Sequence, residues 1–285
     1  MRIANHDGRL VVVSASGKDI EVGVDVETAS GGKFSADPQA VYENWDQFRD
    51  WAADFSAGAC VTIERALLGP PVPKPRQVFA VGLNYHEHAA ESKMTGAAVP
   101  PTFTKFPTCL TGPYAGVELP DGHVHVDWEV ELVAVIGRAA RRVSESRAWD
   151  HVAGLTIGQD LSERVSQLIP PAPQFSLAKS FPGFGPTGPA VVTPDELADR
   201  DDLAIWCELD GETMQDARTS QMILNVPQLV AYLSSVLTLL PGDIIFTGTP
   251  SGVGQARDPQ RFITPGCTLV SGIEGIGKIE TRFAV

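Results

Sequence analysis

Apolar positions along this chain fall mostly in short runs of strand length, separated by Gly- and Pro-rich turns. After an Asp7-Gly8 turn, Arg9 to Ser14 predicts a strand, and a looser strand is expected near Ile20 to Val26. From Asp37 to Phe55 the spacing changes. Val41, Trp45, Phe48, Trp51 and Ala52 recur every three or four positions, which predicts an amphipathic helix. Four prolines (Pro70, Pro71, Pro73, Pro75) then mark a boundary. Residues 1–72 are therefore expected to form a small αβ domain that supports a larger one over 73–285.

Beyond the boundary, Gln77 to Val81 reads as a short strand running into Gly82-Leu83-Asn84-Tyr85. Val124 to Ile136 alternates as one strand ended by Gly137, and Ser146 to Val152 as a short helix. Thr156 to Asp160 and Leu203 to Leu209 follow as strands, the second closed by an Asp210-Gly211 turn. Pro227 suits the first turn of a helix that runs to Leu240 and stops at Pro241-Gly242. Asp243 to Thr247 and Thr268 to Ala284 add further strand. Many strands with few long helices predict a twisted, β-rich α+β fold rather than a doubly wound parallel sheet.

Composition narrows the possible partners. With 285 residues, 43% hydrophobic and 20% charged, the chain can bury a sizeable core. Its 35 acidic residues outnumber 22 basic ones, a formal charge of −13, which argues against nucleic acid or an anionic membrane as partner. Leu229 to Leu240, the longest apolar stretch, falls short of the roughly 20 residues that span a bilayer. The first residues lack the apolar core of a signal peptide, so a cytoplasmic location is expected. The four cysteines (Cys60, Cys109, Cys207, Cys267) stand singly, without the paired spacing of a zinc knuckle or a disulfide framework.

Candidate chemistry concentrates in Asp127-Trp128-Glu129-Val130-Glu131-Leu132. Residues two apart share a face of a strand, so Asp127, Glu129 and Glu131 are expected to point one way. The run then becomes Leu-Val-Ala-Val-Ile, a segment buried on both faces. An acidic face leading into a buried segment is costly unless neutralised, and a hard divalent cation is the usual answer. Asp160, at the end of another apolar strand, could bring a further carboxylate to the same point. Glu129, Glu131 and Asp160 with waters would make a Mg²⁺ or Mn²⁺ site with room for substrate. The plainer alternative is an edge strand wearing solvated carboxylates. His123, His125 and Glu129 also suggest the first motif of a cupin, but no histidine follows His151 to complete it.

Seven blocks, in order, resemble the fumarylacetoacetate hydrolase superfamily: VGLNYHEHAAE, PTFTKFPTCLTGP, DWEVELVAVIG, GQDLSERVSQ, AKSFPGFGPTGP, DGETMQ and LLPGDIIFTGTPSGVG. The resemblance covers roughly residues 77–284. It implies a β-rich catalytic domain with a distorted β-roll or barrel core, a homodimer, and Mg²⁺ or Mn²⁺ on Glu129, Glu131 and Asp160. By position it assigns His88 and Glu91 to a His–Glu dyad that activates water, on a lid, and Lys179 to stabilising a developing enolate. Arg164, Gln167 and Thr249 become contacts for a substrate carboxylate, and Lys105 is placed near the site mouth. Val165 stands where the family often has Asp.

What the resemblance implies is hydrolytic C–C cleavage of an acylpyruvate or fumarylacetoacetate-like 2-oxo acid. The same enolate chemistry would serve isomerisation of 2-hydroxyhepta-2,4-diene-1,7-dioate or decarboxylation of an oxaloacetate-like acid. A relative that binds without catalysing is the non-enzymatic alternative; retention of the carboxylates and Lys179 speaks against it.

Overall fold

The strand Val130–Ile136 is buried along its whole length, as a run of Val, Leu, Ala and Ile with one acid requires of a central strand. It pairs antiparallel with Val152–Gln159 on one side and with Ile244–Phe246 on the other. The computed structural model describes residues 1–13, 22–54, 60–92, 101–122 and 124–285. From one edge, the main sheet runs through Cys60–Thr62, Val22–Asp25, Arg9–Val13, Arg2–His6 and Gly185–Val192. It continues through Val152–Gln159, Val130–Ile136, Ile244–Phe246 and Val78–Val81 to Thr102–Thr104. Neighbours along this path are antiparallel apart from the parallel pair Ile244–Phe246 and Val78–Val81; off the path, Leu110–Thr111 also runs parallel to Gly185–Val192. A second sheet orders Glu212–Arg218, Ala204–Leu209, Thr268–Ile273, Gly277–Ala284 and Gly116–Glu118.

The alternation of side chains along the central strands divides the core in two. Leu132, Ala134, Leu155 and Ile157 pack toward the second sheet, against Ile205, Cys207 and Ile279. Val133, Val135, Ile244 and Phe246 face the other way and meet Trp45, Phe48 and Tyr42. The fold is therefore sheet-dominated, with two facing layers and a helical cover. Among the described residues the strands do not close into a barrel, because the main sheet ends at two unpaired edges. The first strands belong to this same sheet: Arg2 and Ile3 pair with Val192 and Val191. No helix among the described residues is long and apolar enough to cross a membrane.

Several expected elements form with altered ends. The helical cover begins as a 3₁₀ turn over Ala40–Asn44 and becomes α-helical over Trp45–Ala53; Phe55, Ser14 and the start of the strand near Ile20 lie outside the described residues. The Pro227 helix spans Val226–Val236, capped by Asn225 accepting from the Gln228 N–H. It stops short of Leu240 because Leu239 exchanges backbone hydrogen bonds with Ala140. The expected continuous strand from Val124 to Ile136 is broken. Val126–Asp127 pairs with Ser162–Glu163, and regular pairing resumes only at Val130.

Candidate active site

The break at Trp128-Glu129 builds the site. There the Glu129 N–H donates to the Gln159 side chain at 2.8 Å and its carbonyl accepts from the Asp160 N–H at 2.9 Å. The Val130 N–H donates to Gln215 at 3.0 Å. Side-chain amides thus hold this backbone where a regular ladder would have run on. Glu129, Glu131 and Asp160, all buried, each bring a carboxylate oxygen within 4.8 Å of the other two. Asp127 is not with them. Its carboxylate accepts from the Trp128, Gly254 and Gln255 N–H groups at 2.8, 2.7 and 2.9 Å and from Arg164 at 2.8 Å. The expectation of one shared acidic face fails here, because strand pairing is interrupted between residues 127 and 130.

Three cations serve these four acids. Lys179 Nζ lies 2.6 Å from Glu129 and 2.7 Å from Asp160; Lys105 Nζ lies 2.7 Å from the other Asp160 oxygen. Arg164 bridges Asp127 and Glu129, each at 2.7 Å. Among the described residues Glu131 has no basic side chain of its own, and it accepts from the Gly248 N–H at 2.7 Å. Burial, with Asp160 and Glu129 alongside, pushes the Glu131 carboxyl well above the usual carboxylate range. For Glu129 burial also raises, but Lys179 and Arg164 outweigh it and hold the group down at about 2. Ionised together, the four acids would exceed their three cations by one negative charge, and that excess falls on Glu131, whose ionisation burial disfavours. A divalent ion bound by all three oxygens would answer that deficit, so the residues present fit Mg²⁺ or Mn²⁺.

A cavity of about 260 Å³ opens onto the cluster and brings His88, Glu91, Arg164, Gln167, Lys179 and Thr249 together. His88 and Glu91 sit on the short helix His86–Glu91, where three-residue spacing puts Nδ1 2.7 Å from the Glu91 carboxylate. Glu91 also accepts from the Gly252 N–H at 3.0 Å, and Glu87 from the Ser251 hydroxyl at 3.1 Å. Arg164 donates to Gln167 at 2.9 Å, so both reach the cavity already engaged with each other. The single hydroxyl hydrogen of Thr249 goes to the Val130 carbonyl at 2.9 Å and is not available to a substrate in this arrangement.

Lys105 is not at the mouth. It is 1% exposed, behind Asp160, and its ammonium also donates to the carbonyls of Lys179 and of Phe184. The Thr102–Thr104 strand that precedes it lies at the edge of the sheet, but the buried Asp160 draws the side chain inward. His123 lies outside the described residues, and His125 packs edge-on against Phe262, ring centroids 4.6 Å apart. Two glutamines escaped notice in the sequence. Both amides are buried, Gln159 on the apolar strand Val152–Gln159 and Gln215 on the mostly polar strand Glu212–Arg218; the one available signal was a polar residue closing an apolar run at Gln159. A larger cleft of about 820 Å³, lined by Trp45, Asp46, Arg138 and Trp149, lies on the helical cover, away from the carboxylates.

Comparison with known proteins follows the same blocks. The family described as fumarylacetoacetate (FAA) hydrolase C-terminal matches residues 77–284. Oxaloacetate tautomerase FAHD2A, mitochondrial, from Bos taurus is 42% identical over 212 residues, 74% of this chain and 68% of that protein. The crystal structure of a provisionally named HpcE protein from Mycobacterium smegmatis superposes with a TM-score of 0.94 at 52% identity, covering 100% of this chain and 99% of that one. Maleylpyruvate hydrolase from Sphingobium sp. SYK-6, solved with manganese(II) and pyruvate, gives a TM-score of 0.80 at 28% identity over 100% of this chain and 99% of its own.

Proposed function

The chain belongs to the fumarylacetoacetate hydrolase family, and from that premise we propose that it is a divalent-metal-dependent hydrolase that cleaves the C–C bond of an acylpyruvate-like 2-oxo acid. One observation carries the reading: Glu129 and Glu131, which cluster with the buried Asp160, line a single cavity with the hydrogen-bonded His88–Glu91 pair. A Mg²⁺ or Mn²⁺ ion on the three carboxylates would act as a Lewis acid toward the 2-oxo head group. The manganese and pyruvate in the maleylpyruvate hydrolase support both ion and head group.

The chain's own residues supply the rest. Glu91 accepts from His88 Nδ1, which fixes the tautomer and leaves Nε2 as a base. His88 takes a proton from water, and the water oxygen adds to the acyl carbonyl. The bond between that carbon and the adjacent CH₂ breaks, and its electron pair becomes the enolate of pyruvate. A proton then returns to the CH₂ carbon, so that one acylpyruvate and one water give a carboxylic acid and pyruvate. Lys179, beside Glu129 and Asp160, places positive charge where the enolate forms.

The tautomerase relative favours a second reading, in which the same base relocates a proton on a 2-oxo acid without attack by water. The test is pyruvate release from acylpyruvates, set beside enol–keto interconversion and decarboxylation of oxaloacetate, with Mg²⁺, Mn²⁺ or chelator. Metal-dependent pyruvate release, lost in Glu129→Ala/Glu131→Ala while the circular dichroism spectrum is kept, is the expected result. Fast turnover of oxaloacetate with inert acylpyruvates would reverse the ranking.

A further inference from the structure

The cavity that receives the proposed head group also has walls for whatever lies beyond it. We infer that the substrate's tail is short, uncharged and apolar, and that the site selects against a second carboxylate. This rests on the reading that the 2-oxo acid end lies at the carboxylate cluster.

Charged groups gather at the deep end, where Glu131 and Lys179 are 1% and 2% exposed. The apolar part of the lining includes Leu83, Phe103, Leu168, Phe175, Val253 and Ala256, interrupted by Ser92 and Gln255. Phe103 and Phe175 meet edge to face with ring centroids 5.4 Å apart, a hydrocarbon corner half open to solvent. Among the described residues the basic side chains of this cavity are Arg164 and Lys179, and both are taken by Asp127, Glu129 and Asp160. The ionisable side chain nearest the mouth is Glu91, an acid engaged with His88 and the Gly252 N–H. A tail carboxylate would exchange water for hydrocarbon, with no free cation among the described residues to meet it and a like charge close by. A propyl group would instead gain from leaving water. At about 260 Å³ the cavity is below the roughly 300–1,000 Å³ of drug-sized sites, which limits the tail to a few carbons.

A matched pair of substrates tests this. 2,4-Dioxoheptanoate and 2,4-dioxoheptanedioate differ only in a terminal methyl against a terminal carboxylate. With Mg²⁺ or Mn²⁺, kcat/KM should favour the methyl compound at least tenfold, chiefly through KM. Leu168→Arg, at a rim position, should shift the ratio toward the dioate tenfold or more. Oxalate, a head-group mimic without a tail, is titrated in parallel by calorimetry. A wild-type ratio near one, or favouring the dioate, while oxalate still binds in a metal-dependent way, would overturn the tail assignment and leave the head-group site standing. Absence of both oxalate binding and turnover would instead remove the underlying functional reading. A folded Leu168→Arg protein with the wild-type ratio would show that the tail does not run along this wall.

Discussion

Glu131 is the acid of the cluster that depends on a backbone donor, and that donor is available only because residue 248 is glycine. Gly248 adopts φ +104°, and a Cβ there would fall 2.6 Å from Asn84 Cβ. Gly248→Ala is expected to displace the N–H from Glu131, cutting metal-dependent activity at least tenfold and lowering Tm by several degrees; isothermal titration with Mn²⁺ separates lost metal affinity from lost fold. At this scale the sequence was informative where chemistry and spacing coincide. Acidic residues two apart, followed by an apolar run, pointed to Glu129 and Glu131, and a strand-end acid to Asp160. Asp127 looked the same in one dimension. Only the break at Trp128-Glu129 separates it, and the backbone there is held by Gln159 and Gln215, which lie 30 and 85 residues away in the chain from their backbone partners.

Among the elements, the short run Val130–Ile136 was legible from its apolar residues, whereas Gly185–Val192 was not. The latter contains two glycines and two prolines, yet all of it is buried and it joins the N-terminal strands to the centre of the sheet. Glycine and proline are poor strand formers on average, but here close packing favours the small residue: a Cβ on Gly188 would lie 3.0 Å from Pro113. The link between elements that matters most for the site is Gln215. On the Glu212–Arg218 strand it accepts from the Val130 N–H and donates to Thr249 and to the Pro250 carbonyl, both at 2.8 Å. Gln215→Leu keeps the approximate volume but strands a buried N–H and a carbonyl, a cost of about 1–3 kcal/mol for each group left unpaired. Urea unfolding should register a loss of that order. If Gln215 acts as a positioning residue, kcat should fall further than KM rises; a stability loss with unchanged kcat would assign it to folding alone.

For the whole molecule, the order of strands was the least legible level. Arg2–His6 lies between Arg9–Val13 and Gly185–Val192 in the sheet, and no local pattern specifies a partner nearly 190 residues distant. Assembly belongs to this scale as well. Val165 and Leu177, 55% and 72% exposed, lie on two short helical turns that pack together beside the cavity, and Ile169, 57% exposed, follows the first of them. Exposed apolar side chains grouped in this way suit burial by another protein surface, and we propose a homodimer as the form that covers them. Sedimentation should return twice the chain mass, and Leu177→Lys with Ile169→Lys should shift it to monomer. A wild-type monomer at micromolar concentration would reject the pairing.

The hydrogen bonds of the segment from Gly248 to Gly252 connect what would otherwise be two independent halves of the site. One end of it grips the acid that faces the proposed ion; the other grips the acid that steadies the histidine. Because five consecutive residues of covalent chain span the gap, the span between electrophile and base is limited by bond lengths and torsions rather than by the drift of the helix that bears His88. Any substitution that lengthens, shortens or straightens this tether should therefore detune both partners together, and second-site changes that restore one alone should fail to rescue turnover.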